Sequence, residues 1–304
     1  MKKKQSPLES TAPGYRMLLP AALLFLLINT IPFLYGVVLS FTNTNYFRPQ
    51  NGSRFVGLQN YLEILQNEDF YRMFSFTLLY TVLVVLLSYA LGMAFALLLN
   101  RDIRFKNFFR GLALLPWIMA PAVAVVIWRW MCNDQLGAIN VMLKSIGLIQ
   151  TPIRFLSDKT LAKVTVVAFA VWKCYPFMMV VLLGGLQSIG KEVYEPARID
   201  GASKWSCFRY ITLPLLRPVS IVALSLMFIW TFNTNSFDNI YLLTRGGPVN
   251  STYVLSIEAY YAAFYRGKAG YASAASLLMT VFIALAALAY TLLRRARAGK
   301  GAAV

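Results

Sequence analysis

Residue types that carry out catalysis in most hydrolases and metalloenzymes are scarce in this sequence. Histidine is absent, and the three cysteines, Cys132, Cys174 and Cys207, lie far apart. A zinc site needs clustered cysteine or histidine ligands, and a disulfide framework needs several suitably spaced cysteines. The sequence therefore predicts no metal site, no histidine general base and no disulfide framework.

Residues 185–191 have most of the glycine and lysine spacing of a phosphate-binding loop. Such a loop follows a β-strand and ends in Ser or Thr, whose hydroxyl holds magnesium. Here Glu192 occupies the Ser/Thr position, and a long apolar segment precedes the glycines. We therefore expect this chain to bind no ATP, to hold no cofactor and to be no enzyme.

Polar side chains within apolar segments are the remaining candidates for chemistry, because such groups are costly against lipid and usually line a cavity. The densest group contains Asn233, Ser236 and Asn239, which share one helical face at i, i+3 and i+6. Asparagine amides offer donors and acceptors, which suits sugar hydroxyls, and Phe232 and Phe237 could stack on a sugar ring. The alternative is hydrogen bonding between helices, which small polar residues also provide.

Lys173 lies alone among apolar residues, too far from either end of its segment to reach water easily. It could bind an anionic cargo, such as a uronate or a phosphorylated polyol, or it could pair with Asp238; we favour a structural role. Trp172 and Cys174 flank Lys173, and Trp117 lies in another apolar segment. Each of these neighbours could contact a ligand or pack in the core.

The segments that position these residues are those of a membrane protein. Of the 304 residues, 58% are hydrophobic and 13% are charged, against about 45–50% apolar and about 25% charged residues in soluble domains. A helix that crosses a bilayer needs about 20 mostly apolar residues. Five segments without a charge, and a sixth with Lys173 alone, approach or exceed that length: 17–47, 73–100, 111–128, 164–186, 218–237 and 269–293. The sequence therefore predicts an all-α membrane protein with six transmembrane helices.

The net charge of +17 comes from basic residues spread in short groups between the apolar segments. A nucleic-acid-binding protein would instead concentrate them on one face. More of the basic residues fall at the two termini and in segments 101–110 and 187–217 than in the other connections. The positive-inside rule therefore places both termini and these two segments in the cytoplasm.

This topology divides the chain into two cytoplasmic tails and one membrane domain. The tails are residues 1–16 and 295–304, and the six-helix domain is 17–294. The outer loops at 42–75 and 132–160 are each long enough to carry a short amphipathic helix.

The inner segment from 187 to 217 is far longer than a turn requires, which indicates a role outside the membrane. Pro196 suits the first turn of a short helix, Gly201 ends that helix, and Ser203 can cap a second one. With Ala197 and Ala202 beside it, Gly201 leaves a flat surface that a partner could approach closely. The alternative is a solvated connector without a partner.

This segment resembles the E-A-A-x-x-D-G-A signature of the membrane subunits of bacterial ABC importers, which is followed after a spacer by F-x-x-I-x-L-P. The matching residues are Glu195, Ala197, Asp200, Gly201, Ala202, Phe208, Ile211, Leu213, Pro214 and Pro218, and Pro196 departs from the usual alanine. The resemblance implies that residues 195–202 form a coupling helix, which docks on a cytoplasmic ATPase subunit and transmits nucleotide-driven motion.

Four further segments resemble the carbohydrate-uptake, maltose-permease-like branch of that family: residues 55–61, 172–177, 243–248 and 270–276. This branch imports di- and oligosaccharides and also glycerol-3-phosphate. The resemblance implies a type I ABC importer permease fold, in a multi-pass subunit of the bacterial inner membrane. It also places Asn233 and Trp117 at ligand-contacting positions, with Ser236 replacing an asparagine.

The expected partners follow from the same resemblance: a second permease subunit, two ATP-binding subunits that hold ATP and magnesium, and an extracytoplasmic solute-binding protein. We expect alternating access of a sugar site, coupled to the ATPase through residues 195–218. An importer of anionic cargo is one alternative. A secondary transporter is another, although no span contains an acidic residue and only Asp238 directly adjoins one, whereas ion-coupled transporters commonly carry several intramembrane carboxylates.

Overall fold

The computed structural model describes residues 12–301, with the side chains of 17–292. Within that range the chain is helical, with two isolated β-bridges and no strand. The all-α prediction is confirmed. The predicted tails lie partly outside the described residues, at 1–11 and 302–304.

In chain order the helices are α1 (Ala12–Phe25), α2 (Ile31–Ser40), α3 (Gln59–Leu65), α4 (Glu68–Leu99), α5 (Lys106–Ile118), α6 (Pro121–Met131), α7 (Ala138–Ser145), α8 (Lys159–Gln187), α9 (Glu195–Ile199), α10 (Lys204–Cys207), α11 (Leu213–Trp230), α12 (Ser236–Thr244), α13 (Leu255–Phe264) and α14 (Ala269–Gly301). Short 3₁₀ turns occupy Pro49–Asn51 and Lys191–Val193. As predicted, the two long loops at 42–75 and 132–160 each carry a short helix, α3 in the first and α7 in the second.

Five uninterrupted helical stretches are long and apolar enough to cross a membrane: Met17–Ser40, Glu68–Leu99, Lys159–Gln187, Lys204–Thr244 and Ala269–Leu292. The first of these joins α1 to α2, and the fourth joins α10, α11 and α12. Three π-helical turns make these joins: Leu26–Thr30, Phe208–Thr212 and Thr231–Asn235.

The predicted single span at 111–128 is wrong in shape, because the structure breaks it into α5 and α6 at an angle of 94°. Met119 and Ala120 are extended at the break, and Pro121 begins α6. A proline disfavours helical backbone in the residue before it, and its ring nitrogen has no proton to donate. The count of six spans therefore holds only if this bent pair crosses as one.

The long inner segment also differs from the prediction of two separate short helices. The first is α9, but the second, α10, is the beginning of the continuous helix from Lys204 to Thr244. Ser203 caps it as predicted, since the Oγ of Ser203 accepts a hydrogen bond from the Ser206 backbone N–H at 3.1 Å.

The chain divides into two compact units, of which the larger comprises residues 67–258 and 279–304. Its centre is α8, in which 72% of the most apolar 18-residue stretch is buried. Helix α4 packs along α8, and Gly92 makes their closest approach: a Cβ added to Gly92 would lie 2.6 Å from the Met178 Cβ and 2.8 Å from the Met179 backbone nitrogen. The two helices therefore form a rigid pair on which the others are arranged.

Among the described residues, the smaller unit comprises 12–66 and 259–278. In its described part, the side-chain amide of Asn60 donates to the carbonyls of Ser40 and Thr42, both at 2.8 Å. A Cβ on Gly270 would lie 1.9 Å from the Thr42 oxygen, so only glycine fits at that position. These contacts hold the end of the first span to the loop that follows it and to the start of α14.

We expect Gly92→Ala to lower the free energy of unfolding by about 1–3 kcal/mol, because the added methyl group overpacks the interface between α4 and α8. Gly184→Ala is the matched control, since Gly184 lies within α8, the helix that Gly92 of α4 packs against, and an added Cβ there meets nothing within 4 Å. Thermal unfolding in detergent measures both. Equal unfolding midpoints for the two variants would contradict the close approach.

Candidate ligand cavity and coupling segment

A cavity of about 310 Å³ lies where the break between α5 and α6 faces α8, α11 and α12. One wall is the break itself, the second is a face of α8, and the third comes from the end of α11 and the start of α12. The lining residues are Trp117, Ile118, Met119, Ala120, Pro121, Lys173, Cys174, Phe177, Met227, Trp230, Asn235, Asp238 and Asn239.

Lys173 holds the break in place. Its side chain is buried, and Nζ donates to the carbonyl oxygens of Pro116 at 2.8 Å, Trp117 at 3.4 Å and Met119. The last four carbonyls of a helix have no partner within it, and the helix C-terminus carries partial negative charge that favours a cation. The ammonium therefore satisfies groups that the break would otherwise leave unpaired.

The predicted alternative of an ion pair between Lys173 and Asp238 is wrong. Both residues line the cavity, but within residues 17–292 the ion pairs are elsewhere and Asp238 has no cationic partner. The structural role favoured for Lys173 is supported instead by its hydrogen bonds to backbone carbonyls.

Three aromatic rings form one side of the cavity. Trp117 lies 5.9 Å from Phe177, and Phe177 lies 5.1 Å from Trp230, measured between ring centroids. About 47% of Trp117 and 42% of Trp230 are exposed. Rings with free surface at membrane depth can stack on the apolar face of a ligand. Trp117 is a predicted ligand contact, whereas Phe177 and Trp230 are lining residues that the sequence did not predict.

The π-helical turn between α11 and α12 changes which polar residues face the cavity. A π turn adds one residue, so the residues after it are rotated by about 100° from their positions in a regular helix. Asn235, Asp238 and Asn239 line the cavity, whereas Asn233 is exposed elsewhere. The prediction that Asn233, Ser236 and Asn239 share one face is therefore wrong.

Ser236 is buried and makes hydrogen bonds that are structural. Its Oγ donates to the carbonyls of Phe232 at 3.1 Å and Asn233 at 3.0 Å, and lies 3.1 Å from the Ser256 hydroxyl. Phe232 is itself fully buried, with its ring 5.0 Å from that of Phe282. Phe232 is therefore part of the core and has no free face for a sugar.

The two neighbours of Lys173 point in different directions. Cys174 lines the cavity, where its sulfur lies 3.7 Å from the Asn235 side-chain nitrogen. Trp172 packs against Trp128, at 5.7 Å between ring centroids, and against Phe169, at 6.2 Å. Trp172 is not among the lining residues.

Asn239 carries an unused donor beside the cavity. Its side chain is 3% exposed, and within the described part of the chain Nδ2 has no hydrogen-bond partner. The Tyr80 hydroxyl interacts with this side chain, but it too lacks a hydrogen bond of normal geometry among the described residues. A buried polar atom without a partner is costly, and the side chain that carries this one is among the lining residues of the cavity.

The segment with the importer signature forms an exposed surface apart from this cavity. Glu195 and Pro196 begin α9, which ends before Asp200, and Gly201 has φ of +82° with open space around it. The backbone N–H of Ala202 donates to the Ala197 carbonyl at 2.8 Å, which closes the turn.

Large apolar side chains surround this turn, and they are exposed. Ile199 is 86% exposed and Trp205 is 68% exposed. Phe208 is half-buried against the core, and Leu213 and Pro214 begin α11. The segment thus presents an unpartnered apolar surface that is anchored to the helix core through Phe208.

Comparison with known proteins places this architecture among transport proteins. Residues 88–299 match the family described as "Binding-protein-dependent transport system inner membrane component". The chain is 36% identical over 271 residues to the trehalose/maltose transport system permease protein MalF of Thermococcus litoralis, a match that covers 89% of each chain. It is also 36% identical over 265 residues to a probable ABC transporter permease protein, y4oQ, of Sinorhizobium fredii, covering 87% of this chain and 84% of the relative.

A solved structure has the same fold. It is a bacterial ABC transporter involved in the import of the acidic polysaccharide alginate, and one of its chains superposes with a TM-score of 0.79 at 23% identity. The superposition covers 94% of this chain and 96% of that one. The fold is therefore that of a type I ABC importer permease.

We expect Lys173→Met to lower the free energy of unfolding by roughly 3 kcal/mol, because it removes charge-assisted hydrogen bonds and leaves the carbonyls unpaired. Hydrogen exchange should rise in residues 118–124, and the thermal unfolding midpoint should fall. Lys159→Met is the matched control, since Lys159 is exposed at the beginning of the same helix. If both variants unfold at the same temperature, Lys173 does not hold the break.

Proposed function

The chain belongs to the family of binding-protein-dependent transport system inner membrane components, and we propose that it is the permease subunit of an ATP-driven importer whose cargo is a sugar. The observation that carries this proposal is the cavity at the broken helix. It combines an aromatic wall with amide and carboxylate groups among membrane-spanning helices. The name of the Thermococcus relative, which specifies trehalose and maltose, supports the same cargo class.

The chemistry of the cavity suits a polyhydroxylated ring. Trp117, Phe177 and Trp230 can cover the C–H face of a sugar. Asn235 and Asn239 can both donate to and accept from hydroxyl groups, and the Asp238 carboxylate can accept from them. Ligand sites commonly combine such an apolar lining with a few polar groups that fix orientation.

We propose that residues 195–218 couple this chain to an ATPase subunit. The exposed Ile199 and Trp205 can fill a cleft on a partner. Gly201 leaves room for the partner's backbone, because no heavy atom lies within 4 Å of an added Cβ. Phe208 joins this surface to the core, so a displacement of the surface moves the long helix that carries Asp238.

The proposed assembly contains a second permease subunit, two ATP-binding subunits that hold ATP and magnesium, and a solute-binding protein on the outer side. Both termini of this chain are cytoplasmic, and α5 with α6 crosses the membrane as one bent span. Closure of the ATPase pair moves the coupling segments and turns the cavity from inward-facing to outward-facing. The cargo shifts this equilibrium only through different affinities for the two states.

Trp117→Ala and Trp172→Ala provide a matched test of the cavity. Loss of a stacking surface at Trp117 should raise the sugar concentration for half-maximal uptake about tenfold, as expected for an aromatic anchor. Trp172→Ala should lower thermal stability and leave that concentration nearly unchanged. ATP-dependent uptake of radiolabelled maltose, trehalose and other neutral oligosaccharides by proteoliposomes containing the whole complex measures this.

Two outcomes would contradict the proposed function. The first is uptake that follows an ion gradient without ATP, which indicates a secondary transporter. The second is an equal change in half-maximal concentration for both tryptophan variants, which places the sugar outside this cavity.

Gly201→Arg should abolish sugar-stimulated ATP hydrolysis while the protein stays in the membrane, because a bulky side chain blocks docking of the ATPase subunit. Gly52→Arg is the matched control: Gly52 also has positive φ, +66°, and open space around it, so this variant also places an arginine at a strained backbone position. Normal coupled transport by Gly201→Arg would contradict the coupling role. Loss of activity in both variants would show that backbone strain, and not blocked docking of the ATPase subunit, causes the loss.

A further inference from the structure

We propose that the cavity selects neutral saccharides over anionic ones, and that Asp238 is the residue that sets this selectivity. The inference rests on the proposed function, since it concerns the cargo of that same cavity. It follows from the two charged residues that line the cavity, Lys173 and Asp238.

Lys173 has no donor left for a cargo. A lysine ammonium has three N–H bonds, and Nζ of Lys173 has three backbone acceptors, on Pro116, Trp117 and Met119. The partial negative charge at the C-terminal end of α5 also offsets the ammonium charge. A cargo carboxylate or phosphate would have to displace these carbonyls and leave them unpaired, which is costly among buried groups.

Asp238, by contrast, makes no ion pair among the described residues. Its carboxylate lines the cavity next to Asn235 and Asn239. A carboxylate accepts hydrogen bonds only, so it favours ligands that present hydroxyl groups. It also repels anionic ligands, and this repulsion is strong where water is scarce.

The N-terminus of α6 is the other feature near the cavity that could attract an anion. However, its first residue is Pro121, which has no N–H to donate. The next residues, Ala122 and Val123, are exposed and do not line the cavity. This terminus therefore does not compensate for Asp238.

Neighbouring side chains on one helix then recognise different polar atoms of the sugar. The two oxygens of Asp238 can accept from adjacent hydroxyls of a sugar ring, while the side-chain amide of Asn239, which also lines the cavity, can donate to a ring or hydroxyl oxygen. Asn235 completes the set from one turn earlier. A neutral vicinal diol satisfies all three side chains, whereas a uronate leaves its carboxylate facing that of Asp238.

The test measures the charge preference of the cavity without requiring transport. The chain carries Asn235→Cys in a background of Cys132→Ala, Cys174→Ala and Cys207→Ala, within the assembled complex. The introduced thiol reacts with trimethylammonium-ethyl and with sulfonatoethyl methanethiosulfonate, and the ratio of the two rates is compared with and without Asp238→Asn. Neutralisation of Asp238 should lower the cation-to-anion ratio about tenfold.

Asp69→Asn is the control, because Asp69 is an exposed carboxylate outside the cavity, and it should leave the ratio unchanged. A change of less than about twofold on Asp238→Asn would overturn the proposal, as would ATP-dependent import of an anionic oligosaccharide by the unmodified complex. The tenfold change in a complex that imports no sugar would contradict the proposed function and support the charge assignment.

Discussion

The hydrogen bonds from the Lys173 ammonium to the carbonyls at the end of α5 are the interaction on which the rest of this structure depends. A helix that stops inside a membrane leaves carbonyls with neither a helical partner nor water, and such a break is tolerated only where protein supplies partners. Lys173 supplies them from α8, the most buried of the five uninterrupted spans. The buried charge and the broken helix therefore stabilise each other, because each would be costly alone.

The cavity exists because two helices depart from regular geometry at the same place. The break turns α6 away from α5 and opens a space beside Trp117. Across that space, the π-helical turn between α11 and α12 brings Asn235, Asp238 and Asn239 to one side. Both departures lie in segments for which the sequence predicts regular, unbroken helices.

The sequence predicts the fold well and the cavity only in part, and the difference has a physical cause. Apolar spans are visible from their length, and the turn around Gly201 is visible because Pro196, Gly201 and Ser203 act locally. Pro121 is a local signal for the break, because proline disfavours helical backbone in the residue before it. The span was predicted from the absence of charges alone, and that pattern does not register a proline. The partners of Lys173 are backbone carbonyls, and every residue type has one, so the sequence does not indicate which carbonyls they are. A π turn rotates the residues after it to a different face, and no particular residue type marks its position.

The most direct test of this account is an electron cryo-microscopy map of the assembled importer with its loaded binding protein, trapped while the cargo is inside the membrane domain. The account predicts sugar density between Trp230 and Asp238, with the Lys173 ammonium still bonded to the carbonyls of Pro116 and Met119. Cargo density bonded to the Lys173 ammonium, or an empty cavity with cargo elsewhere in the membrane domain, would contradict it.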